Sequence, residues 1–316
     1  MNNEAMMTIS AVERDTGLGK DTLRVWERRY AFPQPIRDAK GERLYAPEQV
    51  ERLRLIKRLM DQGHRPGKLF SASEEDLLQI AAAHSPATAV EDAESGGDPT
   101  LAGNTSNPVA GQIIDLLRAH DVPGLRQALS QAMMRQGLQH FVLDTVTALN
   151  QSVGNAWMSG GLQVFEEHLY SEQMSALLRQ AIASLPASAN GRPRILLTTA
   201  PEERHVLGLL MAEALLALEG ATCISLGTQT PLFDIRQAAE AHRADVVALS
   251  FSSAFPARLT IPLLRQLREL LPPAVELWAG GSGTEKLPAT EGVLLLPSLT
   301  HALAALQANK DGHLQA

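Results

Sequence analysis

From Arg192 onward the chain alternates short, continuous apolar runs with longer amphipathic stretches. The runs are "RILLTTA", "ATCISLG", "DVVALSFS", "VELWAGG" and "GVLLLP". Runs apolar at nearly every position, rather than at every second one, fit strands covered on both faces, and hence a parallel sheet. The pattern between them predicts helices from near Val206, Leu232 and Thr260, a weaker one near Glu285, and a last one over "LTHALAALQANK". Five strands and their helices in about 120 residues describe a doubly wound, flavodoxin-like sheet, whose ligands sit at the carboxyl ends of the strands.

Upstream the period changes. Residues 109–187 place apolar side chains at helical spacing in four segments starting near Val109, Val122, Leu138 and Val164. Breaks at "HDVPG", "RQG" and "SGG" separate them, so an antiparallel four-helix bundle is the simplest arrangement. Before the bundle, "HSPATAVEDAESGGDPTLAGNTSNP" has no apolar period and the composition of a flexible linker. Residues 7–70 show short helical patterns punctuated by turns, with Thr8 and Asp21 placed as N-caps. The expected organisation is a multidomain chain: an N-terminal α winged helix-turn-helix over 1–75, a linker over 76–107, a helical bundle over 108–188, and a flavodoxin-like α/β domain with a five-stranded parallel sheet over 189–316.

Charge sharpens this division. Residues 1–70 carry 14 of the 28 basic side chains against 10 of the 35 acidic ones, a balance of +4 within a chain of net charge −7. A basic module for a polyanion, attached to an acidic body, follows from that split. The single cysteine, Cys223, forms no internal disulfide and suits a reducing compartment. The start "MNNEAMMTIS" has no signal-peptide pattern, and no apolar run approaches the ~18 residues of a membrane span, so a cytoplasmic protein without membrane contact is expected.

"TISAVERDTGLGKDTLRVWERRY" reads as two short helices around a Gly-containing turn, the second carrying Arg24, Arg28 and Arg29 beside Trp26 and Tyr30. "PIRDAKGERLY" then reads as a hairpin with a Lys40-Gly41 turn, presenting Arg37, Arg43 and Tyr45. A basic second helix is the element that enters the major groove. "TLRVWERRY" followed by "RLY" resembles the MerR family of winged-helix regulators over about residues 7–70. The resemblance implies that Arg24, Arg28, Arg29, Tyr30, Arg37, Arg43 and Tyr45 contact phosphates or groove edges of a double-stranded DNA operator. Trp26 is expected in the core.

"PEERHVLG", residues 201–208, leaves the carboxyl end of the first strand and carries more chemistry than a reversing turn needs. Glu203-x-His205-x-x-Gly208 resembles the Asp-x-His-x-x-Gly motif of cobalamin-binding domains, with Glu in place of Asp. Ser250-Phe251-Ser252 at the third strand end and Gly280-Gly281 at the fourth match the later parts of that pattern. The resemblance implies that His205 is the lower cobalt ligand. Neutral imidazole suits a transition metal, and a carboxylate behind it fixes the tautomer, the part assigned to Glu203. Gly208, Ser250, Ser252, Gly280 and Gly281 would line the path of the cofactor's nucleotide tail.

In the bundle, "AWMSGGLQVFEEHLY" places nine residues between Trp157 and Glu167-His168. This spacing resembles the light-responsive adenosylcobalamin repressors of the CarH/LitR type, and by that resemblance Trp157 covers the upper axial face while Glu167 and His168 contact the adenosyl group. One position departs: Met158 stands where the light-sensing members typically carry His. A thioether is a weaker ligand for oxidised cobalt than imidazole.

The reading is a transcriptional regulator, a repressor by resemblance, whose oligomerisation (to dimer or tetramer) and operator binding answer to adenosylcobalamin, or another cobalamin form, and to light. The alternative is a regulator of the same architecture that does not depend on cobalamin, or an activator. A cobalamin-dependent enzyme would need a substrate barrel of about 250 residues, for which the chain has no pattern. The protein is therefore expected not to be an enzyme.

Overall fold

In the computed structural model, which describes residues 6–38, 41–61, 64, 66–73, 76, 77, 80, 108–186 and 191–314, the chain forms two compact units. Of the expected linker, 76–107, all but residues 76, 77 and 80 lies outside the described residues.

The N-terminal unit runs β1 (Met7–Thr8), α1 (Ile9–Thr16), α2 (Lys20–Tyr30), β2 (Ile36–Arg37), β3 (Arg43–Tyr45), α3 (Pro47–Asp61) and α4 (Pro66–Phe70). The strands pair antiparallel in the order β1-β3-β2. Thr8 caps α1 as expected, its hydroxyl oxygen accepting the Ala11 N–H at 3.3 Å. Gly17 ends α1 at φ +70°, a left-handed conformation natural to glycine, and its N–H bonds the Glu13 carbonyl. Asp21 is not a cap: α2 already starts at Lys20 after Gly19, and the Asp21 carboxylate sits in the first turn, 2.9 Å from Arg24. There it meets the positive end of the helix dipole. Val12, Leu23, Trp26, Tyr45, Leu53 and Ile56 fill the core, so Trp26 packs as the sequence indicated. Gly41 turns the hairpin at φ +81°; Lys40 lies outside the described residues.

The second unit opens with α5 (Pro108–Arg118), α6 (Val122–His140), a π-helical turn (Phe141–Val146), α7 (Thr147–Met158) and α8 (Val164–Ser184). Gly137, at φ +75° and ψ 158°, breaks the axis of α6 where "RQG" predicted a boundary. Four rods result. Their core of Ile113, Leu125, Leu129, Phe141, Leu149 and Leu178 also takes in Leu210, Met211, Ala214 and Leu215 of α9 (Leu207–Leu218). The bundle therefore shares its core with the sheet layer instead of closing on itself.

The strands are β4 (Arg194–Thr199), β5 (Thr222–Gly227), β6 (Val246–Ser250), β7 (Glu276–Gly280) and β8 (Leu294–Leu296), all parallel in the order β5-β4-β6-β7-β8. Side chains alternate between two cores. Leu196, Val247 and Leu277 pack on α10 (Leu232–Ala241) and α11 (Ala257–Leu270), while Ile195, Val246 and Trp278 pack on α9 and α12 (Leu299–Leu314). Burial on both faces is why the runs read as continuously apolar. The helix expected near Glu285 is absent from these residues: only a 3-10 turn, Ser282–Thr284, forms. Gly281 at φ +97° and Gly283 bring the backbone against Phe251 and Ser252, and Pro288 stands against any helix continuing through it.

Candidate functional site

The register of the sheet aligns Thr199, Ser250, Gly280 and Leu296 across β4, β6, β7 and β8. This row is the carboxyl edge, and the loop 200–206 leaves it between β4 and α9. Thr199 anchors the loop from beneath: its hydroxyl donates to the Glu203 carbonyl at 2.6 Å and accepts the Gln229 N–H at 2.9 Å.

Glu203 is 2% exposed, and four donors converge on its carboxylate. Oε1 accepts the His205 backbone N–H at 2.9 Å and lies 2.6 Å from His205 Nδ1. Oε2 accepts both the backbone N–H and the hydroxyl of Ser252 at 2.8 Å. Burial alone would raise this pKa, but the hydrogen bonds from His205 and Ser252 outweigh it and hold Glu203 at about 2. An ionised carboxylate only accepts, so Nδ1 must carry the proton it shares with Glu203, and the imidazole lone pair is then on Nε2. The His205 side chain is 62% exposed. A carboxylate-oriented imidazole at the ligand edge of a doubly wound sheet has the donor chemistry of a metal-ligating histidine.

The glycines of the motif divide into two kinds. A Cβ on Gly208, in the first turn of α9, would stand 3.1 Å from the Ser250 hydroxyl, so the helix and the end of β6 close tightly there. A Cβ on Gly281 would meet the Phe251 carbonyl oxygen at 2.4 Å, at a φ of +97°. Gly280 is constrained more mildly, by the Leu296 carbonyl oxygen at 3.3 Å. Gly283 was not singled out by the sequence pattern, yet a Cβ on it would lie 2.4 Å from the Ser252 carbonyl oxygen. It holds the Ser252 loop under the Glu203 carboxylate, and the repeated glycine in "GGSG" is its only sequence signal. Ser252 sits behind His205 and bonds Glu203, a place the tail-lining expectation did not include.

In the bundle, Trp157 is half-buried against the shared core one residue before the end of α7. Glu167 and His168 stand in the first turns of α8, and the connection between the helices is closed by the Leu162 N–H on the Ala156 carbonyl at 3.0 Å. All three therefore share one end of the bundle. Glu167 accepts the Ser171 hydroxyl at 2.6 Å and lies 3.0 Å from Nδ1 of the exposed His168. Asn150 of α7 ties this region to the sheet layer. It accepts the Tyr170 hydroxyl at 2.7 Å and donates to the Met211 sulfur of α9 at 3.4 Å.

In the N-terminal unit, Arg24, Arg28 and Arg29 are carried along α2, and Arg37 is exposed on β2 with Nη1 donating to the Gly41 carbonyl at 2.8 Å. The Arg29 guanidinium covers Tyr30, whose ring stacks on Phe70 at 4.4 Å. One expected contact, Tyr45, needs correction, and Arg43 has a partner within the fold. Tyr45 is 0% exposed: its ring is core, and its hydroxyl donates to Glu27 at 2.8 Å. Arg43 is turned onto the same carboxylate, with Nε 2.9 and 3.0 Å from the two oxygens. Glu27, which sequence reasoning missed, thus clamps the hairpin to α2.

Two regions of the chain match family models: residues 7–69 match the MerR HTH family regulatory protein, and residues 109–182 match the B12 binding domain. With the basic helix and hairpin on one unit and the imidazole-bearing sheet edge on the other, these define a DNA-binding transcriptional regulator that uses cobalamin, rather than an enzyme. The chain is 31% identical over 271 residues to the HTH-type transcriptional repressor CarH of Myxococcus xanthus, covering 84% of this chain and 85% of that one. It is 28% identical over 249 residues to the repressor CarA of the same organism, covering 78% and 77%. The N-terminal unit alone is 43% identical over 62 residues to the mercuric resistance operon regulatory protein of Bacillus cereus, 20% of this chain and 42% of that one. The chain belongs to the CarH and CarA family of MerR-type, cobalamin-binding transcriptional repressors. Among the described residues, no helix is long and apolar enough to cross a membrane.

Proposed function

We propose that this chain is a repressor that binds adenosylcobalamin in its second unit and that the cofactor, through light, controls its assembly on DNA. The observation that carries the reading is the Glu203 carboxylate, saturated by His205 and Ser252, which sets the imidazole tautomer at the carboxyl edge of the sheet. His205 would be the lower ligand of the cobalt, with Gly208, Ser250, Gly280 and Gly281 on the side where the nucleotide tail enters. Trp157, Glu167 and His168 would meet the adenosyl group from the bundle. Bound cofactor would supply a cobalt–carbon bond that light can break. This chain's own residues supply the coupling: α9 starts two residues after His205 and packs into the bundle core through Leu210, Met211 and Leu215. Boundaries at 1–75, 76–107, 108–188 and 189–316 would place a linker between the DNA-binding module and this sensor. Joining modules by oligomerisation raises their effective concentration on an operator, so assembly to a dimer or tetramer would act as the switch. Met158 would make the photolysed state different from one held by two imidazoles.

The test is sedimentation and absorption of the protein with adenosylcobalamin in the dark and after illumination. A larger species in the dark, a spectrum showing nitrogen ligation that His205→Ala abolishes, and dissociation in light are expected. Identical sedimentation with and without cofactor would remove assembly as the switch.

A further inference from the structure

"FEEHLY" contains two adjacent glutamates, and the structure gives them opposite surroundings. Glu167 faces Ser171 and His168. Glu166 turns inward, its side chain 8% exposed, with Oε2 accepting the Gln163 N–H at 2.6 Å to close a capping box at the start of α8. Its other oxygen lies 3.1 Å from Nε2 of His120, which comes from the turn between α5 and α6. A carboxylate only accepts, so the ring must present Nε2–H there. The His120 side chain is 59% exposed, but the carboxylate it meets is buried, and a buried carboxylate oxygen deprived of its donor is costly.

The backbone of His120 adds an independent observation. Its φ is +54°, in the left-handed region that glycine enters freely and side chains with a Cβ enter at a cost of about 1 kcal/mol. The next residue, Asp121, caps α6 through the Gly124 N–H at 2.9 Å, so the turn has its own fixed geometry. Glycine would satisfy that turn better. A histidine held there against its backbone preference carries its ring across to α8, where it bonds Glu166 and packs on Phe165 with centroids 5.3 Å apart. The ring thus grips two successive residues of the first turn of α8, and the next two are Glu167 and His168.

We infer that His120 is a positioning residue for the upper face of the cofactor site: through Glu166 and Phe165 it fixes the first turn of α8, and so sets where Glu167 and His168 stand. The inference rests on the reading that this pair meets the adenosyl group. It predicts upper-group selectivity that depends on a residue assigned neither to the cobalt ligand nor to the adenosyl contact.

The experiment titrates the full chain in the dark with adenosylcobalamin and with hydroxocobalamin, which has no large upper group. Wild type, His120→Gly and His120→Gln are compared, with thermal unfolding of each apoprotein. His120→Gly removes the ring while relieving the backbone, so the fold persists; His120→Gln keeps an N–H donor of similar reach. The expected result is a loss of roughly tenfold in adenosylcobalamin affinity for His120→Gly, little change for hydroxocobalamin, and recovery in His120→Gln. Equal losses for both cobalamins, no loss, or a glutamine variant as weak as glycine would overturn the positioning role. Glu167→Ala is titrated alongside. If it leaves adenosylcobalamin affinity unchanged, the reading of the bundle as the adenosyl contact falls, and the role of His120 falls with it. If Glu167→Ala weakens binding and His120→Gly does not, only His120 is misassigned.

Discussion

Oε1 of Glu203 lies 2.6 Å from Nδ1 of His205, while Oε2 of the same carboxylate is occupied by both donors of Ser252. A buried carboxylate with both oxygens engaged has one orientation, and the imidazole attached to it has one tautomer. Removing the carboxylate's charge therefore loosens the ligand without deleting it. Glu203→Gln should weaken cobalamin binding by roughly 10–100-fold, and less than His205→Ala, because partners behind a metal ligand typically matter to that extent. Absorption titrations of the two variants measure this; equal effects would separate Glu203 from the ligand role.

Acid should act through the same carboxylate. Its pKa in the folded chain is about 2, below the ordinary 4.5, so its contribution to stability is complete above about 4.5 and is lost as the pH falls from there toward 2. At neutral pH that contribution is on the order of 3 kcal/mol. The stability difference between wild type and Glu203→Gln, followed by denaturant unfolding, should shrink as the pH is lowered from about 6 to about 3. A constant difference would assign it to lost packing.

Gly208 and Gly281 should respond differently to the same substitution. Gly281→Ala places a Cβ 2.4 Å from a backbone oxygen at a φ of +97°, and should destabilise the fold by about 2 kcal/mol or more. Gly208→Ala lies in a helix, where alanine is favoured by about 1 kcal/mol, and the nearest atom to its Cβ is the Ser250 hydroxyl at 3.1 Å. It should leave apoprotein stability within about 1 kcal/mol and weaken the cofactor. Thermal unfolding and cofactor titration of both variants distinguish fold from site.

On the DNA-binding unit, Arg28 on the basic helix and buried Tyr45 make opposite predictions. Arg28→Ala should weaken binding to all DNA sequences alike and lower the slope of affinity against salt by about one counterion. Tyr45→Phe deletes a hydroxyl donor to Glu27 and should lower stability by about 1 kcal/mol with the salt slope unchanged. Affinity measured across a salt series for both variants tests the assignment.

Periodicity alone determined most of the architecture. Continuous apolar strands require a sheet covered on two faces, and Leu196 and Leu197 of one strand duly enter different cores. Gly137 and the breaks around the bundle were legible because only special backbone conformations interrupt a helix. That His205 follows a strand end was legible because strand ends can be counted along the chain; its part in a motif came from resemblance to cobalamin-binding domains. Direction was not legible. Tyr45 looks like a groove contact until the fold buries it against Glu27, and Glu166 and Glu167 are indistinguishable until α8 packs one inward. Ser252 and His205 stand 47 positions apart, and their shared contact with Glu203 exists only because β4 and β6 are neighbours in the sheet. A local pattern fixes which residues form an element. Which polar group meets which depends on the register and packing of elements far apart along the chain, and that is where the tautomer of His205 and the placement of His120 were decided.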